Sequence, residues 1–181
     1  MRAHTYFISD VHLGAPSVRE SQERERALVS FLKHIETDCK QLFIVGDLFD
    51  YWFEYKHVVP RGHTRVLGQL ALMVDAGLKL DIFVGNHDLW MGNYLEEELG
   101  ATVHHGPLKW SPDEGKTAFY LAHGDGLGPG DRNYKALKKI FTNPIAIWDY
   151  KRLHPTFGVG FAACIARTSR NRPSNDDQAF T

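Results

Sequence analysis

With only two cysteines in 181 residues, Cys39 and Cys164, the chain lacks the thiols for a disulfide framework or a thiolate metal cluster, and a reducing compartment is the simpler expectation. It also lacks any run of about 18 apolar residues, and "MRAHTYFISD" reaches an aspartate before any stretch long enough for a signal peptide. The cytoplasm is therefore the expected location. Excess positive charge is missing too: the net charge is −1, which argues against nucleic acid as the main partner. There is no fixed-period repeat. What remains is an ordinary globular composition, 43% hydrophobic and 24% charged, and a chain of this length can bury roughly 70% of its unfolded surface in one core.

The charge is unevenly spread. Residues 132–172 hold nine Lys or Arg and one acid, Asp149, whereas the rest of the chain holds 12 basic and 21 acidic residues. Residues 169–181 form a polar, Pro-interrupted tail. The pattern divides the chain into a core over 1–132, a helical insertion over 133–168 that would act as a lid, and the tail.

Within the core one grammar repeats: a short apolar, β-rich run, a polar cluster, then a helical stretch. The runs are "TYFIS" before Asp10, "LFIV" before Gly46, "DIFV" before Gly85 and "AFYLA" before His123. Such continuous runs fit strands covered on both faces. Between the first two, Leu28, Phe31, Leu32 and Ile35 recur at helical spacing; between the next two, Leu67, Leu70, Ala71 and Val74 do so, with Gly77 as a C-cap. A short helix from about Asn93 to Leu99, stopped by Gly100, would come after the third strand. The fold expected is α/β, a layered sandwich on a largely parallel sheet, with all four strand ends facing one way.

The chemistry lies in the polar residues at the end of each run. Asp10 and His12 stand in "SDVHLG", Asp47 in "GDLFD", Asn86 and His87 in "GNHD", and His123 in "AHGDG". Loops at the carboxyl ends of parallel strands converge on one crevice. Two carboxylates brought to about 4 Å repel by about 4 kcal/mol at an effective dielectric near 20, a term that a cation reverses. Oxygen and imidazole donors without thiolate fit Mn, Mg, Fe or Zn without choosing among them. Asp47 is the residue expected to bridge two ions. Asp50, Asp88 and Asp125 read as groups that orient backbone or imidazole, and His4, His34, His57 and His63 as surface residues. Trp52 either packs the crevice wall or touches a ligand.

The order "SDVHLG", "GDLFDYW", "GNHD", "HGD" resembles the calcineurin-like metallophosphoesterase superfamily. More closely, "HGDGLGPGDRNYKALKKIF", with "LHP" and "SR" after it, is similar to the UDP-2,3-diacylglucosamine hydrolases of lipid A biosynthesis. The resemblance implies two divalent ions, usually Mn, one served by Asp10, His12 and Asp47 and the other by Asp47, Asn86 and His123. It implies a UDP-linked acylated sugar as substrate, cleaved at its pyrophosphate to lipid X and UMP, and peripheral contact with the inner face of the membrane. It further implies substrate contacts from Asn86, His87, Trp52, Asp131 and Tyr134, with His87 in a catalytic role toward the phosphoryl oxygens.

Two departures qualify the resemblance. The best-known lipid A enzymes carry Arg after the Asn, whereas His87 is the usual residue of the wider superfamily, which leaves a soluble phosphodiester or pyrophosphate substrate as the alternative. A late Gly-His-x-His motif that gives each ion a further imidazole is absent from these 181 residues. The expectation is therefore a chain that stops before its last strands, with weakened ion binding or even a non-catalytic metal-binding remnant. His104, His105 and His154 are the candidate substitutes.

Overall fold

The computed structural model describes residues 2–113, 115–125, 138–155 and 157–158. Asp131, Tyr134 and the tail over 169–181 lie outside these residues, as does much of the expected lid.

Four strands form a parallel sheet in the order β1 (His4–Ile8), β2 (Cys39–Val45), β3 (Lys79–Phe83) and β4 (Thr102–His104). The crossovers are α1 (Val18–Ile35), α2 (Thr64–Asp75) and α3 (Tyr94–Leu99). Each helix is bounded by the local chemistry of its ends. Ser17 caps α1 by accepting the Glu20 N–H, Gly77 adopts a positive φ just past α2, and Gly100 ends α3 in the left-handed region. The apolar faces of the helices meet one face of the sheet: Leu28, Leu32 and Ile35, then Val66, Leu70 and Met73, pack with Leu42, Ile44, Leu80 and Ile82.

The opposite face is aromatic. Phe43 stacks on Phe7 at 5.1 Å and meets Trp110 edge-on at 5.1 Å. Trp110 belongs to a second, two-stranded sheet made of β5 (Leu108–Trp110) and β6 (Phe119–Leu121). Leu42 and Phe43 point to opposite faces and both are buried, which is why β2 reads as an unbroken apolar run.

Here the structure corrects the expected topology. The run "AFYLA" is not the fourth parallel strand; β6 pairs antiparallel with β5, and β4 takes the fourth place in the parallel sheet. The reason is connection length. A parallel return needs a crossover of about a dozen residues or more, usually helical. The link from β5 to β6 instead folds on itself, with Asp113 accepting the Thr117 N–H at 2.6 Å and the Thr117 hydroxyl at 2.7 Å, and Ser111 Oγ accepting the Gly115 N–H.

Of the expected lid, the described part contains a helical turn at 138–141 and α4 (Pro144–Tyr150), capped by Asn143. It is fastened to the core by aromatic contacts. Tyr150 stacks on Trp90 at 5.8 Å and lies 4.5 Å from Phe53, while the Trp90 indole donates to the Phe141 carbonyl at 2.8 Å. Within the helical turn, Phe141 meets Trp90 and Ile140 faces solvent.

Candidate metal centre

The loops leaving β1 and β2 stay paired beyond their strands. The N–H groups of Asp10, His12 and Leu13 donate to the carbonyls of Gly46, Asp47 and Leu48, and the Asp50 N–H returns to the Leu13 carbonyl. This ladder holds Asp10, His12 and Asp47 in the left-handed region, at φ of 55°, 49° and 52°. Non-glycine residues there cost about 1–3 kcal/mol each and persist where the surroundings impose them. Three of the four such residues among those described are candidate ligands named from the sequence.

Asp47 is the hub. Its side chain is 3% exposed; Oδ1 accepts the His87 N–H at 2.9 Å, and Oδ2 lies 3.6 Å from His12 Nε2 and 3.4 Å from His123 Nε2. Donor atoms fall into two groups within 4.8 Å of one another, Asp10 with Asp47 and His123, and His12 with Asp47 and His87, so that Asp47 belongs to both. Asn86 Oδ1 sits 3.1 Å from His123 Nε2. His123 reaches this place although β6 lies outside the parallel sheet, because its Nδ1 is 3.0 Å from the Val45 carbonyl at the end of β2.

Two glycines make room for the cluster. A Cβ on Gly46 would run into the His123 ring, and one on Gly85 into the Asp47 side chain and backbone. Gly46 also holds a φ of +83°, which side chains rarely adopt.

The electrostatics arise from this packing. Burial opposes ionisation of Asp47, but the His123 contact, the His87 N–H and the nearby imidazoles outweigh it and hold its carboxyl below the usual range. The Asp47 contact, against the opposing effect of burial, raises His123 to about 9. Burial lowers His12 despite the attraction of Asp47. Asp88, fully buried, is raised to about 6 by burial, with the Asp47 charge adding to the rise. It accepts the N–H groups of Gly85 at 2.7 Å and Phe49 at 3.3 Å, and so ties the third loop to the second. Asp50 Oδ1 lies 3.8 Å from His12 Nδ1 and 3.5 Å from His87 Nδ1, while its carbonyl sits 3.1 Å from the same His87 nitrogen. Asp125 pairs with Lys138 at 2.5 Å and links the His123 loop to the helical turn at 138–141.

Some expected residues are elsewhere. Trp52 takes the packing alternative: it is fully buried, stacked on Phe49 at 4.2 Å, and its indole donates to Glu54 at 2.9 Å. His104 cannot substitute for a missing ligand, because its ring is held at 2.8 Å by Asp81 and stacked on Phe83 in the sheet. His154 meets Phe157, and neither it nor His105 belongs to a donor group among the described residues. His63, expected on the surface, is half-buried against Phe49 at 4.9 Å. Periodicity and motif spacing did not single out Ser21 and Arg24, which reach the first loop from α1; they are polar positions on an amphipathic helix, and nothing local marks them.

The donor set fits divalent ions. It offers carboxylate oxygens, an amide oxygen and imidazoles without thiolate, with one nearly buried carboxylate common to both groups. Residues 3–158 match the calcineurin-like phosphoesterase family, and the chain belongs to it. Over 172 residues it is 42% identical to a protein of Porphyromonas gingivalis named UDP-2,3-diacylglucosamine hydrolase, covering 94% of this chain and 64% of that one. Proteins of the same name from Edwardsiella ictaluri (29% over 185 residues; 98% and 65% covered) and Pseudomonas aeruginosa PAO1 (30% over 154 residues; 81% and 58% covered) are also similar. The chain thus spans about two thirds or less of the length of these relatives.

Proposed function

We propose that the chain carries the dinuclear centre of a metal-dependent hydrolase that cleaves the pyrophosphate of UDP-2,3-diacylglucosamine, giving lipid X and UMP. The observation that carries this reading is the sharing of one nearly buried carboxylate, Asp47, by two donor groups formed from the loops after β1, β2, β3 and β6. The substrate comes from the names of the relatives.

Asp10, His12, Asp47, Asn86 and His123 would hold two divalent ions, with Mn the metal proposed. Such ions polarise phosphoryl oxygens and make water acidic enough to attack at neutral pH. The chain's own part is orientation. Val45 fixes the His123 ring through Nδ1, which leaves Nε2 to face Asp47. Asp50 occupies Nδ1 of His87, so that Nε2 is the nitrogen left to meet a phosphoryl oxygen and stabilise its growing charge. Asn86 is proposed to touch substrate beside it, and Asp131 and Tyr134 to do so from residues outside those described.

A peripheral position at the inner face of the membrane is proposed from the substrate's acyl chains. No helix among the described residues is long and apolar enough to cross a membrane.

The presence of His87, where the best-known lipid A enzymes carry Arg, supports a second reading, in which a soluble phosphodiester or pyrophosphate is cleaved. UMP release from the diacylated UDP-sugar, compared with release from UDP-N-acetylglucosamine in the presence of Mn, separates the two. Preference for the diacylated compound upholds the first reading. Release of no UMP from either, by protein that retains two Mn ions, leaves a metal-binding remnant and sinks both.

A further inference from the structure

We propose that Arg24 is a positioning residue of the metal centre, holding the Asp10–Val11–His12 loop in its ligand-presenting conformation. This role rests on the proposed binding of ions by Asp10 and His12. One guanidinium nitrogen, Nη1, donates to two successive main-chain carbonyls, Val11 at 3.0 Å and His12 at 2.8 Å. These carbonyls lie in the stretch where Asp10 and His12 both hold positive φ. Rotating the peptide unit between residues 11 and 12 would relieve the strain at His12, whose φ it sets, and it would also break the bond from Arg24 to Val11.

The support comes from a rigid element. Arg24 lies on α1, whose Leu28, Leu32 and Ile35 are seated in the core. One turn earlier, Ser21 Oγ accepts the Gly14 N–H at 2.7 Å, so the same helix grips the loop at both ends. A guanidinium cannot deprotonate and its N–H groups are set in a plane, so it can serve two carbonyls at once; an ammonium on a flexible stem is a poorer substitute.

Charge and position predict opposite signs. A cationic side chain near a dication repels it, so if Arg24 acted only by its charge, neutralising it would tighten ion binding. Loss of positioning weakens binding instead, by about 10–100-fold for a partner that orients ligands.

The test is Mn titration of the chelator-stripped full chain, monitored by paramagnetic resonance of free Mn, for wild type, Arg24→Met, Arg24→Lys and the exposed control Arg19→Met. The expected result is about 10–100-fold weaker binding in Arg24→Met, a smaller loss in Arg24→Lys and none in Arg19→Met. Saturating Mn should restore turnover, with the substrate KM unchanged. Arg24→Met binding within twofold of wild type, or more tightly, overturns the proposal. If Arg24→Met fails to fold, Arg24→Lys decides alone, and wild-type Mn binding in that variant overturns it. If wild type itself binds no Mn, the metal reading fails first and the role of Arg24 falls with it.

Discussion

His123 Nε2 lies 3.4 Å from Asp47 Oδ2, while the other nitrogen of the same ring lies 3.0 Å from the Val45 carbonyl. In metal-free protein this pairing keeps the imidazole protonated up to about 9. An ion that takes Nε2 must displace that proton. Mn affinity should therefore rise with pH, by up to about tenfold per unit well below about 9, and level off above it, and calorimetry in buffers of different ionisation enthalpy should show proton release. Stability of the stripped protein runs the other way. Because the folded value of His123 is raised, its contribution is full below pH 6.5 and is lost as pH rises through about 9. Thermal melts of stripped and Mn-loaded protein across that window should diverge.

Asp47 belongs to both donor groups, so one substitution tests both. In Asp47→Asn the amide oxygen can still accept the His87 N–H, but the shared charge is gone. Elemental analysis after dialysis should find both ions lost together and turnover at background, with the circular dichroism of a folded chain. Retention of one full equivalent of metal would contradict the shared role.

Gly85→Ala places a methyl group against the Asp47 side chain and backbone. Both the main chain and the side chain of Asp47 must then shift. Mn affinity should fall by about 10–100-fold, and the urea midpoint should fall with it, because the displaced backbone belongs to the packed loop.

The buried Glu25 carboxylate accepts the N–H groups of Arg65 at 2.9 Å and Val66 at 3.3 Å, in the first turn of α2. His63, the residue before that helix, provides no side-chain cap, so Glu25 serves as one from a distant element. Glu25→Ala should cost roughly 1–2 kcal/mol in urea denaturation, with Mn binding unchanged.

The Trp90 indole holds the segment around 138–150 through the Phe141 carbonyl. Trp90→Phe retains a ring against Tyr150 and removes the bond, for about 1 kcal/mol. Hydrogen exchange over 138–150 should quicken while β2 and β3 remain protected.

Much of this was legible along the chain. The apolar runs located β1, β2 and β3, the helical spacing located α1 and α2, and Gly100 marked the end of α3, because strand and helix periodicities and chain-end chemistry are local properties. The polar residues after those runs named Asp10, His12, Asp47 and Asn86, since parallel strands deliver their carboxyl ends to one rim; His123 was named on the same argument, but follows an antiparallel strand and reaches the rim through the Val45 carbonyl. Other features depended on distant partners. An apolar run such as "AFYLA" carries no mark of the strand beside it, so its antiparallel pairing with β5 emerged only when the short Ser111–Thr117 turn excluded a crossover. Trp52 became a core residue through Phe49 and Glu54, and His104 a sheet residue through Asp81. Arg24 has meaning only beside carbonyls 12 and 13 positions away. Periodicity and end chemistry are written residue by residue, whereas who meets whom across the fold is settled by packing, where competing partners are compared in three dimensions.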